Sequence, residues 1–428
     1  MAYRVCPKGP AHPGKRTRAG LRGLCRCQEV HVQDSNRRDF LIGVAVPAAT
    51  LAVAPLFVPR SAFGANDRPA YGVIATGGRG RYLNKKFIKT GCQPVAMCDV
   101  YQPNLDAALS DSPGAKGYVD YHELLAQPGV DFVVLAGPDH HHMPMLFASL
   151  DAKKDVYAEK PLSRTLEEAD QMRKRVAGIK QVVQVGHQRR SSLMIHKAEE
   201  AIEEGMLGRV ALVKAQWHWN IARELDNSAL PGKIDWDRFL GTAPKRPVEP
   251  RRYRHWRHFW DYAGGNMTDQ GAHLMDTVLR LMKSPPPTAA VCQGYIAKSI
   301  GQEGPDVFMA SFEFEKFLAT WSLDYCSSFE NGWSITFLGD AGTMIVNEEG
   351  FEVFGEPANE KKEPVMTYKG GIPVESHIDN FLACVKTRTQ PNCTVEVAQR
   401  AVAGPHLANI AYKEGRKAHL AADLLTVS

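Results

Sequence analysis

Two stretches of the sequence carry side chains that can bind and transfer protons. One reads YAEKPLS and contains Lys160, whose backbone is held extended because a proline, Pro161, follows it. The other reads AGGNMTDQGAHLMD, and a helix would place its Asp269 and His273, four residues apart, on one face. A lone His273 is most simply a surface histidine. Because Asp269 and a glycine turn accompany it, we predict that Lys160, Asp269 and His273 are catalytic.

The elements that position the first stretch alternate between short apolar strands and helices, from Pro69 to about Gly186. This alternation predicts a parallel sheet covered by helices on both faces, in a domain spanning residues 68–190. Ligands bind beyond the carboxyl ends of such strands. That edge should collect four residues: Pro138, His142, Glu159 and Lys160. Before the helix EEADQMRKRVAG, Thr165 and Glu168 predict a capping box.

The pattern changes after about residue 207, where longer β-rich segments such as RVALVKAQWHWN and DVFMASFEFE follow one another with turn signals between them. They predict a large, mostly antiparallel open sheet in an α+β domain spanning 191–428, which ends in a helix over Val395–Lys413. The predicted fold class is therefore an α/β Rossmann domain followed by an α+β domain for substrate binding and oligomerisation.

A glycine-rich turn, ATGGRGR, follows the first predicted strand and opens a helix. Gly77 would let the backbone approach a pyrophosphate, and Gly80 would allow close packing of helix on strand. The free N–H groups of the helix start, at Gly78 and Arg79, suit the same anion. Ala75 stands where such turns usually begin with glycine, which leaves the turn geometry open.

Asp99 ends the second predicted strand, 22 residues after Gly77. An acid at this position can accept hydrogen bonds from both ribose hydroxyls and would repel a 2′-phosphate, so NAD is favoured over NADP. Asp99 could alternatively do no more than cap a turn. NADP stays possible because Arg79 or Arg81 could reach a phosphate.

Taken together, these residues resemble the Gfo/Idh/MocA oxidoreductase family, named for glucose–fructose oxidoreductase and inositol dehydrogenase. The resemblance runs from about Tyr71 to about Lys417. Its marks are Ala75–Gly80, Asp99, Asp139-His140 to His142, Glu159-Lys160-Pro161 and Asp269-x-Gly271-x-His273. Asn266 is a departure, because this stretch more often reads Gly-Gly-Gly or Gly-Gly-Asp in the family.

The resemblance implies oxidation of a sugar carbinol, which needs a hydride acceptor and a base. His273 has a suitable intrinsic pKa for the base, Lys160 can bind the reacting oxygen or relay its proton, and Asp269 would orient the substrate or His273. His142 is implied to touch the nicotinamide half of the cofactor. Arg190, in GHQRRS between the domains, is a candidate substrate contact.

The segment EPRRYRHWRHFWDYAGG, residues 249–265, is dense in arginine, histidine and aromatic residues. Such side chains suit a polyhydroxylated or carboxylated ligand, so Tyr262 joins the predicted substrate contacts together with Arg190, Asp269 and His273. A subunit contact or plain domain packing would use the same residue types.

The run His140-His141-His142 raises the question of a metal, with His255 and His258 further along the chain. Consecutive residues of an extended chain point in opposite directions, so at most two of the three could converge on one ion. We therefore predict no metal site.

Charge and cysteine usage narrow the class of partner. Residues 1–64 hold 10 Lys/Arg and 3 Asp/Glu, a formal charge of +7, so the remainder of a chain at +5 carries −2. A nucleic-acid partner is not expected without a basic surface. Of nine cysteines, Cys384 and Cys393 form the one pair after residue 64 that we considered for a disulfide.

The start of the chain predicts export. Residues 1–34 lack periodicity and should be a disordered leader, unless translation begins nearer Val30 or Val32. Residues 35–64 hold Arg37-Arg38 and an alanine-rich apolar run over 41–58, typical of a twin-arginine signal peptide with cleavage after Gly64. The alternative is an N-terminal membrane anchor. We predict a periplasmic or extracytoplasmic protein without stable membrane insertion after cleavage.

Three functions fit these residues. The first is an exported NAD-dependent oxidoreductase of a sugar, cyclitol or sugar derivative, with tightly held cofactor because the periplasm supplies little free NAD. The second is an NAD-dependent glycosidase, lyase or epimerase that oxidises its sugar only transiently. The third is a non-catalytic sugar- or partner-binding protein, which the presence of all three predicted catalytic residues opposes. The resemblance also implies a dimer or tetramer formed through the open sheet.

Overall fold

The computed structural model describes residues 68–428, apart from 358–362. The predicted leader over 1–34 and signal peptide over 35–64 lie outside the described residues. No helix within the described residues is both long and apolar enough to cross a membrane.

The first domain is built on a six-stranded parallel sheet. Its strands are β1 (Ala70–Ile74), β2 (Gln93–Cys98), β3 (Lys116–Tyr118), β4 (Phe132–Leu135), β5 (Asp155–Ala158) and β6 (Val183–Val185). Their spatial order is β3-β2-β1-β4-β5-β6, the order of a Rossmann fold. The helices between them are α1 (Gly78–Lys89), α2 (Gln102–Ser110), α3 (Tyr121–Leu125), α4 (His142–Asp151) and α5 (Leu166–Arg175).

Both faces of this sheet are covered, as the apolar strands predict. Every residue of β4 and β5 is buried, and two separate apolar clusters lie on the two faces. Two helices near the end of the chain complete that cover, namely α11 (Glu375–Thr387) and the first turns of α12 (Val395–Glu414). Phe381 of α11 packs edge-on against Phe132 of β4, with ring centroids 5.3 Å apart.

The second domain is built on a nine-stranded sheet in the order β14-β13-β12-β11-β7-β10-β9-β8-β15. Its strands are β7 (Val210–His218), β8 (Ala289–Tyr295), β9 (Val307–Glu313), β10 (Leu318–Asp324), β11 (Gly332–Gly339), β12 (Gly342–Asn347), β13 (Gly350–Gly355), β14 (Met366–Lys369) and β15 (Ala418–His419). All pairs are antiparallel except β7 with β10. The predicted mostly antiparallel sheet is confirmed.

One face of the large sheet packs on helices and forms the largest apolar cluster. The helices of this domain, besides α12, are α6 (Leu193–Glu203), α7 (Trp236–Leu240), α8 (Pro250–Arg254), α9 (Gly265–Asp269) and α10 (Gly271–Leu281). Between β7 and α10 the chain returns to the first domain, which brings α7 and α8 close to the end of β2.

Two local expectations meet different outcomes. Thr165 caps α5 by accepting a hydrogen bond from the Glu168 N–H at 3.2 Å, but the Glu168 carboxylate accepts from the Arg164 N–H instead of completing the box at Thr165. The disulfide considered for Cys384 and Cys393 is not formed, and all cysteines of the described residues are free thiols.

Candidate active site

The glycine-rich turn joins β1 to α1, and the structure gives its geometry, which the sequence alone did not determine. Ala75 adopts a left-handed backbone with φ of 68°, so alanine takes the conformation that glycine usually supplies. Gly80 is required by packing, because a Cβ there would lie 2.2 Å from the Ala75 carbonyl oxygen. A Cβ on Gly78 would meet nothing within 4 Å, so the start of α1 is open to a ligand.

Asp99 lies just past the end of β2 and is buried. Its carboxylate accepts hydrogen bonds from the Tyr101 N–H at 2.9 Å and, at 3.4 Å, from the Thr76 hydroxyl and the Asn104 amide. Burial raises the pKa of Asp99 to about 6, against the effect of these hydrogen bonds. Asp99 does form a turn contact, as the alternative interpretation predicts, and it also lines the cavity described next.

A cavity of about 850 Å³ runs along this edge of the sheet, a volume within the range of cofactor sites. The first domain lines it with Ala75, Gly77, Gly78, Asp99, Asn104 and Pro138, among others. The second domain lines it with residues between Asp235 and Arg257. The open glycine turn, the acid after β2 and the cavity between them fit a dinucleotide.

Arg79 and Glu159, both predicted to contact the cofactor, contact each other. The Arg79 Nη2 lies 2.7 Å from the Glu159 Oε1, and the buried Arg79 Nε has no hydrogen-bond partner. Burial alone would lower the pKa of Arg79, but the charge of Glu159 and the hydrogen bond to it outweigh burial and raise that pKa. The Arg79–Glu159 ion pair links the start of α1, just after the glycine turn, to the end of β5.

Lys160 and Asp269 form a buried ion pair between the two domains. The Lys160 Nζ donates to the Asp269 Oδ1 and to the Asp269 backbone oxygen, both at 2.7 Å. The Lys160–Pro161 peptide bond is cis. Burial alone would raise the pKa of Asp269, but the charges of Lys160 and Arg257 outweigh burial and hold it well below its usual range. Asp269 is therefore a permanent carboxylate that anchors the amine.

His273 follows on α10, and the predicted continuous helix is two short helices that meet at Gln270. Gln270 itself stays in the right-handed helical region, so the chain continues in the same sense. The His273 Nδ1 is buried without a hydrogen-bond partner. Burial, and next the charge of Lys160, lower the pKa of His273 well below 6.5. His273 is thus neutral at physiological pH and can accept a proton.

A second buried acid, Asp139, adjoins this group, and sequence reasoning gave it no role. Its carboxylate accepts one long hydrogen bond, 3.4 Å from the Gly264 N–H. Burial and the charge of Asp269 raise the pKa of Asp139 to about 8. Asp139 therefore holds a proton at neutral pH, next to a carboxylate that does not.

Three of the predicted contacts have partners within the protein. Arg190 pairs with the buried Asp276, Nε to Oδ1 at 2.7 Å, and lines a separate cavity of about 800 Å³. Tyr262 is fully buried and packs on His140, so it belongs to the core. The ring nitrogens of His142 lie 2.7 and 2.9 Å from the carbonyl oxygens of Pro161 and Gly137, which ties two strand ends together and leaves the ring no free nitrogen.

The neighbouring histidines also have structural partners. The Nε2 atoms of His140 and His141 lie 2.9 and 2.8 Å from the Phe239 carbonyl oxygen. Within residues 68–428, with 358–362 left aside, no group of His, Cys, Asp and Glu has the arrangement of a metal site. The dense 249–265 segment packs mainly in an aromatic cluster between the domains, which the domain-packing alternative predicts.

Two further residues beside the site were missed. Arg257 reaches Asp269, with the Nε 3.4 Å from the Oδ1, and only its place in the WRHFW stretch could have suggested this. Arg189 is buried, with its guanidinium carbon 3.8 Å from the ring centroid of Trp333, and the sequence gave no signal that Trp333 would lie there.

A Rossmann domain with this turn and acid, joined to a Lys–Asp–His group at the domain interface, defines an NAD-binding oxidoreductase of two domains. Comparison with known families agrees. Residues 70–187 match the oxidoreductase family with an NAD-binding Rossmann fold, and residues 199–420 match the C-terminal α/β domain of the same family. The chain belongs to the Gfo/Idh/MocA oxidoreductase family.

Among curated relatives, an inositol 2-dehydrogenase/D-chiro-inositol 3-dehydrogenase of Lacticaseibacillus casei is 34% identical over 34% of this chain and 43% of its own. The chain thus spans less than half the length of that relative. A 1,5-anhydro-D-fructose reductase of Ensifer adhaerens is 27% identical over 65% of this chain and 71% of its own.

Solved structures share the fold. The WlbA dehydrogenase of Bordetella pertussis, in complex with NADH and UDP-GlcNAcA, has a TM-score of 0.64 at 20% identity and covers 83% of this chain and 99% of its own. A levoglucosan dehydrogenase in complex with NADH and levoglucosan has a TM-score of 0.65 at 16% identity, over 82% and 98%.

Proposed function

We propose that the protein is an NAD-dependent oxidoreductase that oxidises a CH–OH group of a sugar, cyclitol or sugar derivative. The observation that carries this proposal is the Lys160–Asp269 ion pair beside the neutral ring of His273. A carbinol oxidation needs a donor for the oxygen and a base for its proton, and these residues supply both. Relatives that act on inositol and 1,5-anhydro-D-fructose support this substrate class.

Each residue has a defined part in this reaction. NAD, held by Gly77, Gly78 and Asp99, supplies the hydride acceptor when bound. The neutral ring of His273 takes the hydroxyl proton. Lys160 donates a hydrogen bond to the substrate oxygen, and Asp269 keeps the amine in place.

The test begins with the chain from Asn66 onward, purified without added cofactor and denatured, so that mass spectrometry identifies any released dinucleotide. A sugar and cyclitol panel with added NAD then follows NADH absorbance, for wild type, Lys160→Ala and the surface control Lys174→Ala. The proposal is supported if wild type and Lys174→Ala turn over a substrate and Lys160→Ala does not. Product without accumulated NADH would instead favour the hydride-returning glycosidase, lyase or epimerase. The absence of both dinucleotide and turnover would contradict it.

We infer export by the twin-arginine route from Arg37-Arg38 and the apolar run after them. That route carries folded proteins, so the cofactor could travel inside the protein to the periplasm. The test is fractionation of cells that express the natural chain or the variant Arg37→Lys with Arg38→Lys. Retention of only the variant in the cytoplasm supports export, and equal distribution contradicts it.

We also propose a homo-oligomer formed through the outer face of the large sheet. Val291, Met309 and Leu318 are well exposed on the adjacent strands β8, β9 and β10, and they point away from the helices. These side chains give three adjacent strands exposed apolar surface that a second copy of the chain would cover. Light scattering should report a dimer or tetramer that Met309→Glu dissociates; an unchanged mass would contradict this interface.

A further inference from the structure

Residues 231–257, here called the strap, leave the second domain after β7 and lie along the end of β2 in the first. The Tyr101 hydroxyl donates to the Pro231 carbonyl oxygen. Two backbone hydrogen bonds continue this attachment. The Gln102 N–H donates to the Lys233 carbonyl oxygen at 2.9 Å, and the Asp235 N–H donates to the Val100 carbonyl oxygen at 2.8 Å. The start of the strap thus pairs with the residues that follow β2, much as an added antiparallel strand would.

The middle of the strap is attached to two other places in the first domain. His140 and His141 both contact the Phe239 carbonyl oxygen. At Gly241 a Cβ would lie 2.6 Å from the His141 ring, so glycine permits this close approach. Further on, the Tyr253 hydroxyl is bonded to the Asn104 amide at 2.9 Å, and Asn104 also donates to Asp99.

The attached strap forms one wall of the 850 Å³ cavity, opposite the glycine turn and Asp99. A dinucleotide held by Gly77 and Asp99 would therefore lie between the first domain and the strap. The far end of the strap also contacts the predicted catalytic group, because the Arg257 Nε lies 3.4 Å from the Asp269 Oδ1. A strap that lifts as a unit would withdraw this cation from Asp269.

We propose that the strap retains the dinucleotide, so that cofactor exchange requires residues 231–257 to detach and is slower than hydride transfer between the substrate and the bound cofactor. The inference rests on the proposed function for the identity of the cofactor. It goes beyond that function in assigning retention to a segment outside the Rossmann domain. It also makes the strap a positioning element for Asp269, through Arg257.

The test uses variants that loosen the strap from outside the cavity. Tyr101→Phe removes the hydroxyl bonded to Pro231, and Gly232→Ala adds a Cβ that would lie 2.7 Å from Pro103. Neither position lines the cavity. Tyr368→Phe, on the edge strand β14, is the matched control for the first variant. Gly178→Ala, also at positive φ but with nothing within 4 Å of the added Cβ, is the control for the second.

The readouts are the release of bound NADH, followed by its fluorescence after mixing with excess NAD, and hydrogen exchange of residues 231–257. We expect release from the full-length protein below about 0.01 per second, far slower than hydride transfer at a typical enzymatic rate. Tyr101→Phe and Gly232→Ala should each release NADH about tenfold faster. The controls should match wild type, and NADH should protect the strap from exchange.

The outcomes separate this inference from the proposed function. Release as fast as hydride transfer measured in the first turnover, or equal release from variants and controls, overturns the strap while the oxidoreductase stands. Slow, strap-dependent release without turnover of any sugar or cyclitol supports the strap and overturns the proposed reaction. Failure of NADH to bind overturns both.

Discussion

The ammonium group of Lys160 binds Asp269 twice, through the side-chain Oδ1 and through the backbone oxygen, both at 2.7 Å. One residue thus fixes the position of the amine. The pair also joins the end of β5 in the first domain to α9 in the second. A substrate bound between the domains would therefore meet an amine held in place by contacts from both domains.

Replacement of Lys160 by methionine should lower kcat/KM by about 100-fold or more, because the reacting oxygen loses its hydrogen-bond donor. Asp269 would keep only Arg257 as a nearby cation, so its pKa should rise from its low value. Steady-state kinetics with the substrate found in the panel measures the loss. Lys174→Met, on the exposed surface of α5, is the control, and a similar loss in both variants would contradict the assigned role.

The pH dependence of catalysis should reflect His273. Burial and neighbouring cations lower its pKa well below 6.5, so the neutral, proton-accepting form persists into mildly acidic solution. We expect kcat/KM to stay level through neutral pH and to fall only well below pH 6.5. An acidic limb near pH 7 that disappears in His273→Asn would show that the histidine is ordinarily solvated, against this structure.

Asp139 should make the protein less stable as pH rises. Its pKa is raised to about 8 in the folded state, so between its unfolded pKa and pH 8 the folded protein binds the extra proton. That stability is fully present below the unfolded pKa and is lost as pH rises through 8. Asp139→Asn should flatten the decline of Tm between pH 5 and pH 8. Parallel Tm curves for the two proteins would argue that Asp139 is ionised at neutral pH.

Gly80 and Gly78 should respond differently to alanine. Gly80→Ala forces a Cβ against the Ala75 carbonyl and should destabilise the cofactor-free protein by about 2 kcal/mol or more. Gly78→Ala adds a Cβ into open space at the cavity, so it should leave the unfolding free energy unchanged and weaken dinucleotide binding about tenfold. Denaturant unfolding and calorimetric titration separate the two, and equal destabilisation would contradict the turn geometry.

The sequence predicted the parts of this site that depend on local pattern. The parallel sheet, the glycine turn and Asp99 each follow from a strand and the few residues after it. Lys160 and Asp269 were chosen separately, and the structure brings them into contact. Strand ends of a parallel sheet meet at one edge, which is why Lys160 could be placed there without any knowledge of distant contacts.

Other predicted contacts have protein partners that the sequence could not show. Tyr262 and His142 are polar enough to suggest a ligand, but tertiary packing gave Tyr262 a core position and gave His142 two carbonyl partners. Arg190 pairs with Asp276, 86 positions away. Partners so distant in sequence leave no periodic or motif signal, and the contacts of the strap were invisible for the same reason.

The strap has a consequence for the order of assembly. The floor of the cavity comes from residues up to Met145, but its opposite wall comes from residues 235–257, so the complete site exists only after both parts of the chain have folded. A ligand that binds only the folded state stabilises that state by mass action. Cofactor loading can therefore act as a checkpoint of maturation, passed only by a finished molecule, before any twin-arginine export of the protein.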